Sequence, residues 1–468
     1  MSWNQTGDCM KYIISTLGCK VNQYETQAME TMLQADGHES ASPGEIADAV
    51  IVNTCAVTAE SGRKSRQTLR RLRDENPGAV LAVCGCYSQL SPEEAEEIGC
   101  RVIFGAADRT DFVRAVEKAV SEGVGETNID RPFQRRSYEK LPAGALAGRT
   151  RAMLKVQDGC VNFCSYCIIP YTRGRLRSLP LEDAVAETGR LRDLGYRELV
   201  LTGIEVAAYG VDLPGKPDLG DLIEAVAGAS GSMRLRLSSL EPTLITEDFC
   251  RKAARSGKLC RHFHLSLQSG CDRILKAMNR KYDTARYYES VELLRKWFPG
   301  CAVTTDLITG FPGETEEDQA RTLAFIQKCA FADMHIFPYS RRPGTPADTM
   351  PDQCTNAVKA RRAHEAQQLA ARMHLDFLAS SVGQTLPVLF ETGEEGSLGH
   401  SDNYLLVKVP DTGLQGQMLS VRITGIDGEK AIGEMRSSEF GIKRERIVTP
   451  RGGCQPPARY GVGGDRVG

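Results

Sequence analysis

Lys155-Val156-Gln157-Asp158-Gly159-Cys160-Val161-Asn162-Phe163-Cys164-Ser165-Tyr166-Cys167 holds three cysteines in eight residues, spaced Cys-x-x-x-Cys-x-x-Cys. The residues before them, Arg151–Gln157, read as a short strand. The cysteines therefore fall on a loop at a strand's end, where side chains can converge on one point. Three thiolates suit a soft metal or an iron–sulfur cluster. A four-iron cube held by three cysteines keeps one iron without a protein ligand, and an open position is what a catalytic metal needs. A zinc site completed by a fourth Cys or His satisfies the same spacing, as do plain buried thiols.

Downstream, this strand opens a series. Strands are expected at Arg151–Gln157, Glu198–Thr202, Arg234–Ser238, His262–Leu267, Ala302–Ile308 and Met334–Pro338. Helical stretches separate them, among them Leu181–Leu194, Thr284–Trp297 and Glu316–Lys328. Six such units predict a partial (βα)6 barrel with its site at the carboxyl ends of the strands. Gly203, Glu205, Ser238, Ser239, Glu241, Gln268, Ser269, Asp306 and Gly310 all fall at those ends. Turn or capping chemistry explains any one of them. Their recurrence at the same end of successive strands favours a site.

Upstream, residues 10–122 repeat strand, loop and helix. Strands are expected at Tyr12–Thr16, Ala49–Asn53, Ala79–Val83 and Val102–Phe104, which implies a doubly wound parallel sheet. Leu17-Gly18-Cys19 follows the first strand, Asn53-Thr54-Cys55 the second, and Cys84-Gly85-Cys86 the third. Sites in open α/β sheets form just beyond the carboxyl ends of strands. Cys19, Cys55 and Cys86 can thus assemble a second three-cysteine site. Cys84 competes with Cys86 for the third place, and Gly85 favours Cys86 because it lets the backbone turn closely. Arg63, Lys64, Arg66, Arg70, Arg71 and Arg73 crowd one helix, either as a solvated face or as a phosphate contact.

Composition sets the bounds. A chain of 468 residues accommodates about three domains. Hydrophobic content of 41% and charged content of 25% are ordinary for a globular protein. A formal net charge of -2 means that any nucleic-acid contact must come from local patches. The 16 cysteines occur without a secretory signal pattern or a long apolar run. That combination predicts a cytoplasmic protein with no membrane partner, using cysteine for metal or redox chemistry. Residues 123–145 read as a linker, 146–380 as the barrel core, 381–447 as a small all-β barrel, and 448–468 as a disordered tail containing Cys454. In the small barrel, strands are expected at Leu386–Thr392, Tyr404–Val409, Leu419–Ile426 and Lys430–Met435. A helix over Asn356–Leu378 leads into it.

These motifs together resemble the radical S-adenosylmethionine (SAM) methylthiotransferases over nearly the whole chain. The Cys160–Cys164–Cys167 loop continues into Ile168-Ile169-Pro170-Tyr171-Thr172-Arg173-Gly174. Thr16-Leu17-Gly18-Cys19-Lys20-Val21-Asn22, Asn53-Thr54-Cys55 and Gly85-Cys86-Tyr87-Ser88-Gln89 match the family's amino-terminal motifs. Leu237-Ser238-Ser239-Leu240-Glu241-Pro242, Leu267-Gln268-Ser269-Gly270-Cys271-Asp272 and Gly310-Phe311-Pro312-Gly313-Glu314 match its core. The last barrel is similar to a TRAM domain. Gly18 to Thr26, Ser269 to Asp272 and Met278 to Tyr282 resemble the branch that modifies threonylcarbamoyladenosine in tRNA. Glu205 departs from the residue expected at its position.

The resemblance implies two 4Fe-4S clusters, one on Cys160, Cys164 and Cys167 and the other on Cys19, Cys55 and Cys86. SAM at the first would be cleaved reductively to a deoxyadenosyl radical that takes the hydrogen from C2 of adenine 37. The second would present a methylated sulfur, the methyl coming from a second SAM. Tyr166, Gly203, Glu205, Ser239, Glu241, Gln268, Asp306 and Gly310 are implied cofactor contacts. Arg173, Arg175 and Arg177, with the TRAM-like barrel, are implied grips on a tRNA anticodon loop. The implied reductant is a one-electron carrier of flavodoxin or ferredoxin type, and the sulfur donor is unknown. Two alternatives stand beside this reading. One is the same chemistry on isopentenyladenosine-37 tRNA or a ribosomal protein; the other is a non-enzymatic RNA-binding protein with structural metal.

Overall fold

The computed structural model describes residues 9–142, 150–392 and 396–435. The expected tail 448–468 with Cys454, and the end of the small barrel from 436, lie outside the described residues. The strands of the first unit are β1 (Lys11–Thr16), β2 (Glu39–Ser40), β3 (Ala49–Thr54), β4 (Val80–Gly85), β5 (Val102–Phe104) and β6 (Glu126–Asn128). They form one sheet in the order β2-β1-β3-β4-β5-β6, parallel throughout. Ala49 to Thr54 and Val80 to Gly85 are buried at every position, because helices cover both faces. Ile51, Ala82 and Phe104 pack with Met29, Leu33, Phe112 and Val116 on one side. Val50, Val52, Leu81 and Val83 pack with Leu69, Leu72 and Ile98 on the other. Each such side chain contributes about 1.5–3 kcal/mol.

The expected linker proves more ordered than its composition suggested. Glu126–Asn128 adds an edge strand to the sheet. Farther on, the Tyr24 hydroxyl donates to the Leu141 carbonyl at 2.8 Å, and that of Tyr138 to the Lys155 carbonyl. Three residues of strand and isolated side-chain anchors have no periodicity to read.

The central unit contains β7 (Arg151–Asp158), β8 (Arg177–Ser178), β9 (Glu198–Gly203), β10 (Arg234–Leu237), β11 (His262–His264), β12 (Ala302–Thr309) and β13 (Asp333–Pro338). Two hydrogen-bonded groups, β10-β9-β7-β8 and β11-β12-β13, meet through isolated bridges at Leu235 with Leu259 and Leu240 with Leu265. The result is an open barrel of six parallel strands, with short β8 added antiparallel at the β7 edge. Capping boxes at Thr58, Asp218 and Thr315 start three of the chain's helices, each cap worth about 1 kcal/mol.

Alternation along these strands separates two environments. Leu154, Leu199, Leu201, Leu235, Leu237, Phe263, Val303 and Leu307 pack outward under the helices. The intervening positions are polar: Arg151 and Lys155, Glu198, Arg234 and Arg236, His262 and His264, Thr304 and Asp306. These line the interior.

The carboxy-terminal unit is a closed barrel of β14 (Thr385–Thr392), β15 (Ser397–Ser401), β16 (Leu406–Val409), β17 (Met418–Asp427) and β18 (Lys430–Met435). β15 was not among the expected strands; Ser397, Gly399 and Ser401 carry no hydrophobic signal. This barrel docks on the central one through charge. Arg234 Nη2 donates to the His400 carbonyl at 2.9 Å, and Arg236 Nη2 to that of Ser401 at 3.1 Å. Arg261 pairs with Asp402 at 2.6 Å. Among the described residues no helix is long and apolar enough to cross a membrane.

The amino-terminal and central units are joined by a buried ion network. Glu25, on helix Lys20–Ala35, pairs with Arg109 of its own unit at 3.0 Å. Across the boundary it pairs with Arg173, and with Lys155 at 3.5 Å. All four side chains are almost fully buried. Burial alone would raise the Glu25 carboxyl, but the charges of Arg109, Arg173 and Lys155 outweigh it and hold the pKa down at about 2. Removing one partner of a buried pair strands the others. Glu25→Ala is expected to lower the unfolding free energy by about 3–5 kcal/mol, read from denaturant midpoints. Because the folded value lies below the ordinary 4.5, this contribution is present above that pH and lost as pH falls toward about 2.

Candidate functional site

Each cysteine of the amino-terminal set sits at the end of a parallel strand. Cys19 ends the turn after β1, Cys55 directly follows β3, and Cys86 directly follows β4. Gly18, at φ +115°, lets the first turn pass close to the second: a Cβ there would stand 2.9 Å from Cys55 Cβ and 3.2 Å from its Sγ. Gly85, at φ +109°, leaves no room either, since a Cβ would collide with the Thr54 carbonyl. Asn22 ties the loops together. Its Nδ2 donates to Asn53 Oδ1 and to the Thr54 carbonyl, both at 3.0 Å, and its Oδ1 accepts from Cys19 Sγ at 3.3 Å.

Two of these thiols resist ionisation. Burial first, and then the neighbouring Cys86 sulfur, push the Cys55 thiol up to about 12. Burial pushes Cys19 up as well, against the pull of Arg173. Cys84 faces the other way, packing with Met10 and Tyr12 and lying beside Arg109. The set is therefore Cys19, Cys55 and Cys86.

The second set occupies the loop after β7. The Cys160 amide donates to the Gly174 carbonyl at 3.0 Å, and that of Cys167 to the Cys164 carbonyl at 2.9 Å. Ser165 anchors the loop to the next segment, its amide donating to the Met278 carbonyl and its hydroxyl to that of Ala277. Arg280 donates from Nη1 to Cys164 Sγ at 3.2 Å and from Nη2 to Glu241 Oε2 at 2.7 Å. Burial, then Cys164, push the Cys167 thiol up to about 12, and Cys86 of the other set adds to the effect. Cys86 of one unit is thus within electrostatic reach of Cys167 of the other.

These donors fit the iron–sulfur groups that the motifs imply. Each set brings three buried or half-buried thiols, and burial with neighbouring sulfurs raises Cys19 and Cys55 in one and Cys160 and Cys167 in the other. Ligation as thiolates would relieve both. Among the described residues no group of three His, Cys, Asp or Glu side chains is arranged to hold one metal ion.

Near the loop, Glu205 Oε2 accepts from Asn162 at 2.8 Å, and the Glu205 amide donates to Gln157 Oε1 at 2.7 Å. Burial, with Glu241 nearby, pushes Glu205 up to about 7. Gly203 backs onto the Gln157 carbonyl. Tyr166 packs with Cys271, Met278 and Phe311 beside Arg280. Ser239 is half-buried beyond the end of β10. Gln268 adopts a left-handed φ of 68°, its amide donating to the Asp306 carbonyl. Asp306 pairs with His264 at 3.1 Å inside the barrel. Gly310 lies against Lys359 of the helix Asn356–Ser381.

The expected arginine grip is corrected. Arg173 is fully buried on Glu25, and Arg177 is buried with its guanidinium on the carbonyls of Arg173 and Arg175. Neither is open to a phosphate. Sequence shows three alternate arginines; burial follows from carboxylates far away in the chain. Arg175 alone of the three is exposed. The basic helix is likewise neutralised in part, by Arg63–Glu60, Arg66–Glu94 and Arg71–Glu75.

An unforeseen surface lies at the loop's mouth. Phe133 and Phe163 stack at 6.0 Å, and Tyr171 meets Phe163 edge-on at 5.9 Å. All three rings are more than a third exposed (37%, 39% and 38%). Asn22, Gln157 and Arg280 also escaped sequence reading as positioning residues. Asn22 and Arg280 stand in the quoted motifs, so their signal was positional only.

Comparison with known proteins follows this geometry. Residues 154–326 match the model described as Radical SAM superfamily, and residues 11–105 that described as Uncharacterized protein family UPF0004. Over 416 residues the chain is 38% identical to "Threonylcarbamoyladenosine tRNA methylthiotransferase MtaB" of Bacillus subtilis, covering 87% of this chain and 92% of the relative. The chain belongs to the radical SAM methylthiotransferase family. A Chlamydia pneumoniae protein of the same name is 39% identical, with 90% and 96% covered. "tRNA-2-methylthio-N(6)-dimethylallyladenosine synthase" of Pelotomaculum thermopropionicum is 33% identical, with 89% and 95% covered. In fold, the chain is similar to the radical SAM methyltransferase TsrM of Kitasatospora setae, solved with cobalamin and a [4Fe-4S] cluster. The TM-score is 0.52 at 16% identity, over 73% of this chain and 77% of that one. This methylthiotransferase is an enzyme whose cofactors are 4Fe-4S clusters and SAM. The non-enzymatic alternative falls away.

Arg280 holds the Cys164 thiol from the side, as an outer residue supporting a metal ligand would. Arg280→Met is expected to weaken iron binding at the Cys160 loop by about 10- to 100-fold, measured by iron retained against a chelator. The Cys19, Cys55 and Cys86 set should keep its share.

Proposed function

We propose that this enzyme inserts a methylthio group at C2 of N6-threonylcarbamoyladenosine at position 37 of tRNA, using two 4Fe-4S clusters and two SAM molecules per product. The observation that carries the proposal is a pair of three-cysteine sets on adjoining units, with Cys86 of one within electrostatic reach of Cys167 of the other. One set would initiate at carbon and the other would deliver sulfur. When bound, the clusters and SAM supply the one-electron chemistry and the sulfur that an unactivated ring carbon requires.

The chain's own residues bind, orient and shield. Cys160, Cys164 and Cys167 hold one cluster, and Arg280 pins Cys164 while engaging Glu241. Glu205, positioned by Gln157 and Asn162, and Tyr166, Gly203, Ser239 and Glu241 line the place for SAM. Gln268, Asp306 and Gly310, at the ends of the following strands, complete the cofactor contacts. Cys19, Cys55 and Cys86 hold the second cluster, with Asn22 fixing the loops. The exposed rings of Phe133, Phe163 and Tyr171 offer stacking faces for unpaired bases of an anticodon loop. Arg175 beside them meets the backbone. Electrons would come from a flavodoxin- or ferredoxin-type protein.

The threonylcarbamoyl substrate is supported by relatives of that name at 38% and 39% identity. A second reading, the same insertion on isopentenyladenosine, has the support of a relative at 33%. Nucleoside mass spectrometry of tRNA from cells with and without the gene separates them. Loss of methylthio-threonylcarbamoyladenosine in the deletion is expected; its persistence would refute the substrate assignment. Cys164→Ala should abolish deoxyadenosine release from SAM, whereas Cys55→Ala should preserve that release and abolish sulfur insertion. Iron content and melting curves of both proteins exclude misfolding as the common cause.

A further inference from the structure

The interior of the central barrel is rich in charge, and its cations are almost all matched. Arg151 pairs with Glu391 at 2.8 Å. Arg234 and Arg236 share Glu198 at 2.6 and 2.9 Å. His264 meets Asp306, and Lys155 meets Glu25 and Asp158. Lys20 is the exception. It opens the helix that begins directly after Cys19 and is half-buried. Among the described residues it has no hydrogen-bond or ion-pair partner. Its ammonium lies within electrostatic reach of Arg236 and Arg151, of Tyr404 in the small barrel, and of His262 and Asp306. All three units of the chain therefore meet around one unmatched cation.

A second observation points into the same space. His262 is only 7% exposed, and its Nδ1 has no partner. Its Nε2 lies 3.1 Å from Thr304 Oγ1, and its ring stacks on Tyr404 at 4.5 Å. Arg236 covers the same Tyr404 ring at 4.8 Å. A buried polar nitrogen without a partner is costly, so a group supplied from outside would relieve it. An unmatched cation beside it asks for an anion.

Position selects the anion. Lys20 is the chain neighbour of Cys19, a ligand of the proposed sulfur-delivering set. On adenine, C2 and the carbon bearing N6 flank the same ring nitrogen. A base with C2 presented to that set therefore has its N6 substituent only a few bonds away. We propose that Lys20, with His262 and the Tyr404 ring, forms the subsite for an N6 substituent that ends in a carboxylate. Lys20 pairs with the carboxylate, and His262 meets the hydroxyl or urea part. This rests on the threonylcarbamoyladenosine reading and explains how that substrate is told from an isopentenyl one. The isopentenyl group would leave Lys20 unmatched and His262 without a partner.

The test uses the cluster-loaded full chain and two RNA stem-loops. One bears N6-threonylcarbamoyladenosine; the other bears the same nucleoside with the threonyl carboxylate converted to the primary amide. A charged hydrogen bond is worth about 1.5–3 kcal/mol, so the wild-type protein should favour the acid by about 10- to 100-fold in kcat/KM. Lys20→Gln should reduce that preference to within about threefold, almost entirely by losing turnover of the acid. Iron content and the melting curve of the variant confirm an intact protein. A variant that loses both substrates equally, or neither, overturns the subsite. A wild-type protein that turns over neither RNA but accepts the isopentenyladenosine stem-loop overturns the substrate reading itself.

Discussion

Glu25 is the constraint on which the active geometry depends. It takes Arg109 from its own unit and Arg173 and Lys155 from the next, all out of contact with water. Bringing four charges into a low-dielectric interior is costly, and only close mutual pairing offsets it. A small slip between the units would strand at least one charge. The network therefore favours one relative placement of the two domains. Arg173 adds a further link, because its Nη2 also donates to Asn22 Oδ1 at 3.3 Å, the oxygen that receives Cys19 Sγ. The interaction that aligns the domains thus reaches directly into a cysteine set.

That alignment brings Cys86 within electrostatic reach of Cys167 across the boundary. Buried sulfurs close to other sulfurs hold their protons tightly, as the raised Cys55 and Cys167 show. Metal must displace those protons, so cluster assembly and local structure are coupled. The glycines at 18 and 85 belong to the same economy of space. They let three strand ends approach more closely than any side chain would permit.

The open barrel and the small carboxy-terminal barrel depend on one another in a similar way. Arg234 and Arg236 reach out of the central barrel to carbonyls of the small one, while Glu198 compensates them from within. The small barrel thereby closes one side of a polar interior and contributes Tyr404 to it. Its role in this enzyme includes shaping the chamber in addition to any contact with RNA.

Much of this was legible from sequence, and the reason is locality. Strand periodicity, Gly-Cys turns and cysteine spacing are short-range features, so the doubly wound sheet, the six βα units and the placing of cysteines at strand ends were readable. The choice of Cys86 over Cys84 followed from one glycine. Other features were opaque because their causes lie far apart in the chain. The fate of Arg173 depends on Glu25, 148 residues away, and charge written in a sequence does not state whether it ends in water or in an ion pair. The aromatic surface joins Phe133, from an aperiodic stretch, to Phe163 and Tyr171. Lys20 reads as an ordinary helix-start residue until Arg236, His262 and Tyr404 surround it. Sequence by itself determined the chemistry available, because that rests on residue types at short spacing. Tertiary structure alone decided which charges are spent on holding the domains together and which remain for a substrate, because burial and pairing are set by contacts between distant segments.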